Sequence, residues 1–418
     1  MYQKTTLNNG VTLVSEKIPY LSSVTVGIWI NIGSRYEGLN ESGICHFIEH
    51  MFFKGTNKRN ASQIAKEIDS VGGIINAFTG KEYTCLYVKV LDKHLSLAFD
   101  LLSDIFLSSL FDSREIEKEK EVILQEIRMV EDNPEEYIHD LLWQSVWQGT
   151  SLGLSPLGTI KTVQSISRTK LFDYFKKHYL PHRIVVAVAG NFNHTNLIHF
   201  IEGTFGSLTG EDVKIDNQSS DPKPEIFIKN KNLEQVHLCL GAKSPSTISP
   251  KRHAGFVMNT LLGGNMSSRL FQEIREKRGL VYSIYSFQSS FVDTGLLGIY
   301  AGTGKESVLE VLALIFKELK EIKEERIEEN ELKRAKECLK GNLILALENT
   351  DSIMSRLAKN EIYFRKRLSI EEVVASIDKV STSEIAELAT EIFSKPNIAL
   401  SVLGKVNDKK INRDIFEV

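Results

Sequence analysis

The sequence predicts an α+β protein of two homologous domains, each a mainly antiparallel sheet with helices packed on it. Three observations predict it. The 418 residues exceed what one ordinary core holds. Runs of strand-like segments and runs of helical periodicity follow one another, which favours layered α+β architecture. The same order of elements also recurs on both sides of a polar, Gly- and Pro-containing seam at 207–225.

The first half opens with strands at 11–15 and 24–31. An apolar helix around 44–53 and a second at 61–71 follow, then strands at 74–79 and 84–90, the latter alternating in character. Helices are expected over 94–110, 113–130, 135–147 and 170–178, before an apolar strand at 184–190. The second half repeats the plan. Its strands fall at 225–229 and 235–241, helices at 251–262 and 268–277, and strands at 281–288 and 295–302. Helices at 308–323, 329–347, 352–364 and 383–393 then lead into a strand at 398–403. The clearest local echo pairs AVAGNFNHTNL at 187–197 with SVLGKVNDKKI at 401–411. The expected division is a domain over 1–210, a linker over 211–224 and a second domain over 225–418.

Composition narrows the function classes. With 42% hydrophobic and 25% charged residues the chain reads as a soluble globular protein, and a net charge of −3 leaves no basic footprint for nucleic acid. No apolar run is long enough to span a bilayer. The N-terminus has neither a secretory nor a transit pattern. Cys45, Cys85, Cys239 and Cys338 have no paired spacing, which fits free thiols in a reducing compartment. The expected location is the cytoplasm of a bacterial-type cell.

The chemistry is concentrated at His46-Phe47-Ile48-Glu49-His50. On a helix this spacing places His46, Glu49 and His50 on one face, within reach of a single ion. Their neighbours Ile44, Phe47, Ile48, Met51, Phe52 and Phe53 are apolar, so the helix is expected to be buried. Buried imidazoles and a carboxylate need partners, and a divalent metal supplies them. Zinc-assisted hydrolysis is the reaction such a site suggests. Cys45 points about 100° away from His46 and reads as a buried structural thiol.

A catalytic zinc usually keeps three protein ligands. The third is sought in the segment 113–130, whose apolar stripe is Ile116, Ile123, Ile127 and Val130. Glu119 and Glu126 lie within or beside that stripe, whereas Glu117 and Glu121 face away and read as solvated charge. A carboxylate on a core-facing position is costly unless paired or bound to metal. In the second half, Gly255, Met258 and Asn259 take the places of His46, Glu49 and His50. That half is expected to be a wall or substrate-binding surface, not a second metal site.

The H-x-x-E-H order, followed by E-x-x-VIL-x-E at 119–126, resembles the M16 zinc peptidases, or inverzincins. The resemblance is strongest to the branch typified by mitochondrial processing peptidase and covers essentially the whole chain. It implies one zinc per chain held by His46, His50 and Glu126, with Glu49 as general base. Glu119 would stand behind the ligands and accept from a ligating imidazole. Asn76, Ala77, Phe78 and Thr79 look like the family's edge strand, to which an extended peptide adds through main-chain hydrogen bonds. Arg275 and Tyr282 match an Arg/Tyr pair that would face developing charge in the reaction, with Arg278 a nearby decoy.

The resemblance further implies a homodimer whose two chains close a chamber around unfolded peptide, Arg275 and Tyr282 acting in trans on the partner's zinc site. One feature departs from the processing-peptidase pattern. Where the non-catalytic partner of that enzyme carries a long glycine-rich loop, this chain has only Leu261-Leu262-Gly263-Gly264-Asn265. That departure speaks against presequence processing and leaves broader peptide degradation or processing open. The alternative is a non-catalytic family member serving as a structural or assembly subunit; such chains typically lose part of the metal constellation.

Overall fold

The computed structural model describes residues 1–210, 221–407 and 411–416. Most of the expected linker, residues 211–220, lies outside them. The first half runs β1 (Tyr2–Thr6), β2 (Thr12–Lys17), β3 (Ser23–Ile30), α1 (Ile44–Phe52), α2 (Ala61–Asp69), β4 (Ile74–Thr79), β5 (Thr84–Leu91), α3 (Leu95–Leu107), α4 (Ser113–Asp132), α5 (Pro134–Val146), α6 (Ile160–Gln164), α7 (Arg168–His178), β6 (Ile184–Gly190) and α8 (His194–Phe205). The second runs β7 (Ile226–Lys229), β8 (Val236–Lys243), α9 (Arg252–Leu262), β9 (Val281–Ser290), β10 (Gly295–Thr303), α10 (Val308–Lys323), α11 (Glu329–Ala346), α12 (Thr350–Phe364), α13 (Ile370–Lys379), α14 (Thr382–Ile392) and β11 (Ile398–Leu403).

The two sheets share one topology. The first is ordered β1-β2-β6-β3-β5-β4 and the second β7-β11-β8-β10-β9. The pairs β2–β6 and β7–β11 are parallel and every other pair is antiparallel. Removing β1 makes the two orders identical strand for strand, as the repeated sequence plan requires. The chain is an α+β protein with two mainly antiparallel sheets.

The compact units are not the two contiguous halves expected from sequence. The first comprises Met1–Arg128, Leu154–Gln218 and Ala346–Arg367; the second takes Met129–Gly153, Ser219–Leu345 and Leu368–Val418. Each unit therefore includes one helix from the other half of the chain. In the first, one sheet face carries Leu13, Val26 and Ile28 into the main helical layer. The opposite face carries Val14, Trp29 and Val185 against Ile353, Met354 and Leu357 of α12. Trp29 Nε1 donates to Met354 Sδ at 3.0 Å, and Thr25 Oγ1 lies 2.8 Å from Thr350 Oγ1. Gly27 admits this close approach, since a Cβ there would sit 2.5 Å from Met354 Sδ. In the second unit α5 covers the corresponding face, Leu142 and Val146 packing with Cys239, Leu296, Tyr300 and Leu403. A strand covered on both faces reads as a continuous apolar run, as IVVAVAG of β6 does.

The turn that redirects α5 is encoded locally. Asn133 accepts from Glu135 N at 3.2 Å, and Pro134 takes the first helical position, where its missing N–H costs nothing. Other differences from the sequence reading have physical causes too. Strand β1, YQKTT, is a polar edge strand with no apolar alternation to announce it. The helix expected over 268–277 is a short π-helical stretch at Phe271–Glu276. The sequence reading places no helix at α6, α8 or α13. No helix among the described residues is long and apolar enough to cross a membrane.

Candidate metal centre

Helix α1 starts from a constrained junction. Gly43 has φ +91°, and a Cβ there would meet Leu157 O at 2.7 Å. No side chain at the cap position satisfies the first N–H groups. Glu37 does so from outside the helix, its carboxylate accepting from Gly43 N and Cys45 N at 2.8 Å each. Burial raises this carboxyl to a pKa of about 7, against the lowering effect of the two N–H groups. Ile44, Cys45, Phe47, Ile48, Met51 and Phe52 are buried, so packing fixes the helix's rotation. Only His46, Glu49 and His50 keep partial exposure on it.

Helix α4 supplies the opposing face. Ile116, Glu119, Ile123, Leu124 and Ile127 are buried, while Glu117 and Glu121 are exposed as expected. The His46 and His50 Nε2 atoms converge to 3.2 Å, and Glu126 Oε2 lies 3.7 Å from each. One ligand atom from each of the three falls within 4.8 Å of the others, and among the described residues no other group of three His, Cys, Asp or Glu side chains does so. Glu126 Oε2 is buried without a hydrogen-bond partner. Two imidazole nitrogens and an unsatisfied carboxylate oxygen facing one point are what a zinc-type cation would fill, so the residues present fit that ion.

Glu119 stands behind His50. Its Oε2 accepts from His50 Nδ1 at 3.0 Å, and its Oε1 forms an ion pair with Lys54 Nζ at 2.5 Å. With Nδ1 donating to a carboxylate, the His50 lone pair is on Nε2, facing the cluster. Glu49 is held separately: Thr79 Oγ1 donates to its Oε2 at 2.5 Å. Electrostatics differentiates these groups. Burial, helped by His50, takes the His46 pKa down to about 3. Burial also opposes charge on His50, but Glu119, Glu126 and Glu49 outweigh it and the net shift is upward. Burial raises Glu49 against the Thr79 hydrogen bond. For Glu119, burial is outweighed by His50 and Lys54, and the carboxyl is lowered.

The remaining candidates fall in two places. Asn76, Ala77, Phe78 and Thr79 lie on β4, the edge of the first sheet. Asn76 and Phe78 are exposed, Ala77 is buried and Thr79 reaches Glu49. In the second unit, Arg275 sits on the π-helical stretch with its guanidinium 5.8 Å from the centroid of the Tyr282 ring. Tyr282 is 77% exposed on the edge strand β9. The decoy Arg278 is tied to Glu273 at 2.8 Å. Cys45 turns away from the cluster, its Sγ 3.4 Å from Tyr174 OH. Sequence reasoning missed Lys54 and Glu37. Lys54 is one helical turn past His50, a spacing that could have revealed it. Glu37 carries no such signal.

Comparison with known proteins decides the family. Residues 12–160 match the model described as Insulinase (Peptidase family M16), and 165–339 the one described as Peptidase M16 inactive domain. The chain belongs to the M16 peptidase family. An uncharacterized zinc protease of Bacillus subtilis, YmxG, is 42% identical to this M16 chain over 97% of its length and 98% of the relative's. Another, from Streptomyces coelicolor, is 38% identical, covering 98% and 91% of the two chains. A protease from Helicobacter pylori superposes with TM-score 0.90 at 22% identity, covering 97% of this chain and 99% of that one. A peptidase M16 inactive domain structure from Pseudomonas fluorescens gives TM-score 0.89 at 19% identity, covering 96% and 98%. These structural neighbours share the M16 fold. The inactive-domain match spans Gly255, Met258 and Asn259, the residues that the repeated sequence plan sets against His46, Glu49 and His50.

Proposed function

We propose that this chain is a zinc-dependent endopeptidase acting on unfolded peptides. The observation that carries the reading is the convergence of His46 Nε2, His50 Nε2 and Glu126 Oε2 on one point beside Glu49. His46, His50 and Glu126 would hold one zinc per chain. Bound there, the ion would acidify a water and polarise the scissile carbonyl. Glu49, no ligand itself, takes the proton of the attacking water and delivers it to the leaving amine. Thr79 fixes one Glu49 oxygen, and the upward pKa shift of Glu49 suits a group that must first accept and then donate. Residues 76–79 would align an extended peptide along the free edge of the first sheet.

Arg275 and Tyr282 would supply donors toward the developing oxyanion. In this proposal they act in trans within a homodimer, whose closed chamber excludes folded domains. Mixing a Glu49→Gln chain with an Arg275→Ala chain tests the arrangement: active mixed dimers support it and inactive ones reject it. The primary test is cleavage of a long unstructured peptide by wild type and Glu49→Gln, with bound zinc quantified in both. Cleavage by the wild type alone, with zinc retained in both, supports the endopeptidase. Zinc-free, inactive protein would leave the non-catalytic structural subunit instead.

A further inference from the structure

Lys54 lies just beyond the last residue of α1, where the chain still follows a helical turn: Phe53 N donates to His50 O at 3.3 Å and Lys54 N to Met51 O at 3.1 Å. It is four residues past His50, so both side chains project toward α4 on one face. Glu119 receives both. Its carboxylate, only 5% exposed, has Oε2 on His50 Nδ1 at 3.0 Å and Oε1 on Lys54 Nζ at 2.5 Å.

The terminal torsion of a glutamate is soft, so one hydrogen bond alone leaves the carboxylate free to rotate. An ion pair on the other oxygen, with the Lys54 ammonium at 2.5 Å, opposes that rotation. The His46 ring has no such support, since its Nδ1 is buried without a partner. Orientation of the His50 ring therefore depends on the His50–Glu119 contact, and that contact on what holds Glu119.

We propose that Lys54 is a positioning residue of the metal centre, its ammonium clamping Glu119 so that this carboxylate fixes the His50 ring for ligation. The inference rests on the zinc-site reading above. Its sign separates it from plain electrostatics. Removing a positive charge near a cation site should strengthen zinc binding by Coulomb's law. Loss of a clamp should weaken it, by about tenfold if Lys54 carries the usual weight of an outer partner.

The experiment uses metal-free full-length wild type, Lys54→Met, Lys54→Arg, Glu119→Gln and the Lys54→Met/Glu119→Gln double variant. Zn2+ affinity is measured by competition with a chelating dye, and Co2+-loaded samples are compared by visible absorption. Expected are about tenfold weaker Zn2+ binding and an altered Co2+ band in Lys54→Met, substantial recovery in Lys54→Arg, and little further loss in the double variant beyond Glu119→Gln. Wild-type or tighter zinc affinity in Lys54→Met overturns the assignment. So does a loss confined to the melting temperature of the metal-free protein, which would make Lys54 a simple helix–helix ion pair. If the wild type itself binds no Zn2+, the metal reading fails and the clamp with it.

Discussion

Thr79 Oγ1 donates a 2.5 Å hydrogen bond to Glu49 Oε2, joining the exposed edge of the first sheet to the helix that bears the metal-type cluster. The alternation of β4 sends Ala77 and Thr79 to one face and Asn76 and Phe78 to the other. One strand thus presents its edge for a peptide and orients the proposed base. Thr79→Val keeps the shape and removes the donor. It should lower kcat by about ten- to a hundredfold, a fraction of what a general base contributes, with zinc content unchanged. Thr79→Ser should recover most of the rate. Equal kcat in wild type and Thr79→Val would remove Thr79 from the mechanism.

Glu126 differs from Glu119 in having no competing partner for its buried Oε2. If Glu126 completes the ligand set, Glu126→Gln should fail to retain stoichiometric zinc through dialysis and should lose activity. Glu119→Gln should still bind zinc, but about 10- to 100-fold more weakly, as for outer partners elsewhere. Metal analysis by atomic emission separates the two. Retention of full zinc by Glu126→Gln, with loss in Glu119→Gln, would exchange their roles.

Much of this site was legible because helical periodicity maps spacing onto faces. Positions 46, 49 and 50 had to share one face, and Glu119 and Glu126 stood out against their apolar stripe. The edge strand at 74–79 was also readable as a strand, although the Thr79 contact with Glu49 was not, because it joins segments 30 residues apart. Glu37 was hidden for the same reason: it caps a helix it does not precede directly. The domain division misled because a linker is a local signal and a helix exchange is not. Nothing in TDSIMSRLAKNEIYF says which sheet it covers, since its apolar face would suit either.

That exchange has a measurable consequence. A fragment of residues 1–210 lacks α12, leaving Val14, Trp29 and Val185 uncovered on one sheet face. An exposed apolar surface of that kind favours association. The fragment is expected to aggregate or remain partly folded, and to gain solubility when 346–367 is appended through a flexible linker. In the full chain, Met354→Ala should cost about 2–5 kcal/mol by opening a cavity beside Trp29, read from urea unfolding. A soluble, cooperatively melting 1–210 fragment would contradict this account of the fold.

Acid stability should be set in part by two histidines that are not part of the metal-type cluster. His178 is buried beside Tyr174, with ring centroids 4.3 Å apart and its Nδ1 unpartnered. Burial, with Lys177 and Arg183 nearby, lowers its pKa to about 4. His253 is buried with both ring nitrogens unpartnered, and burial with Arg252 lowers it likewise to about 4. The unfolded chain titrates these groups near 6.5, so between 6.5 and 4 it binds more protons than the folded one. Their contribution is therefore complete above about pH 6.5 and is lost as pH falls through about 4. The urea midpoint of the wild type should decline across that window. His178→Phe, which preserves a ring against Tyr174, should flatten the decline, and adding His253→Phe should flatten it further. Metal release at low pH would affect all three proteins alike, so the difference between them isolates the histidines. Parallel curves for the three would show that neither ring resists protonation in the fold.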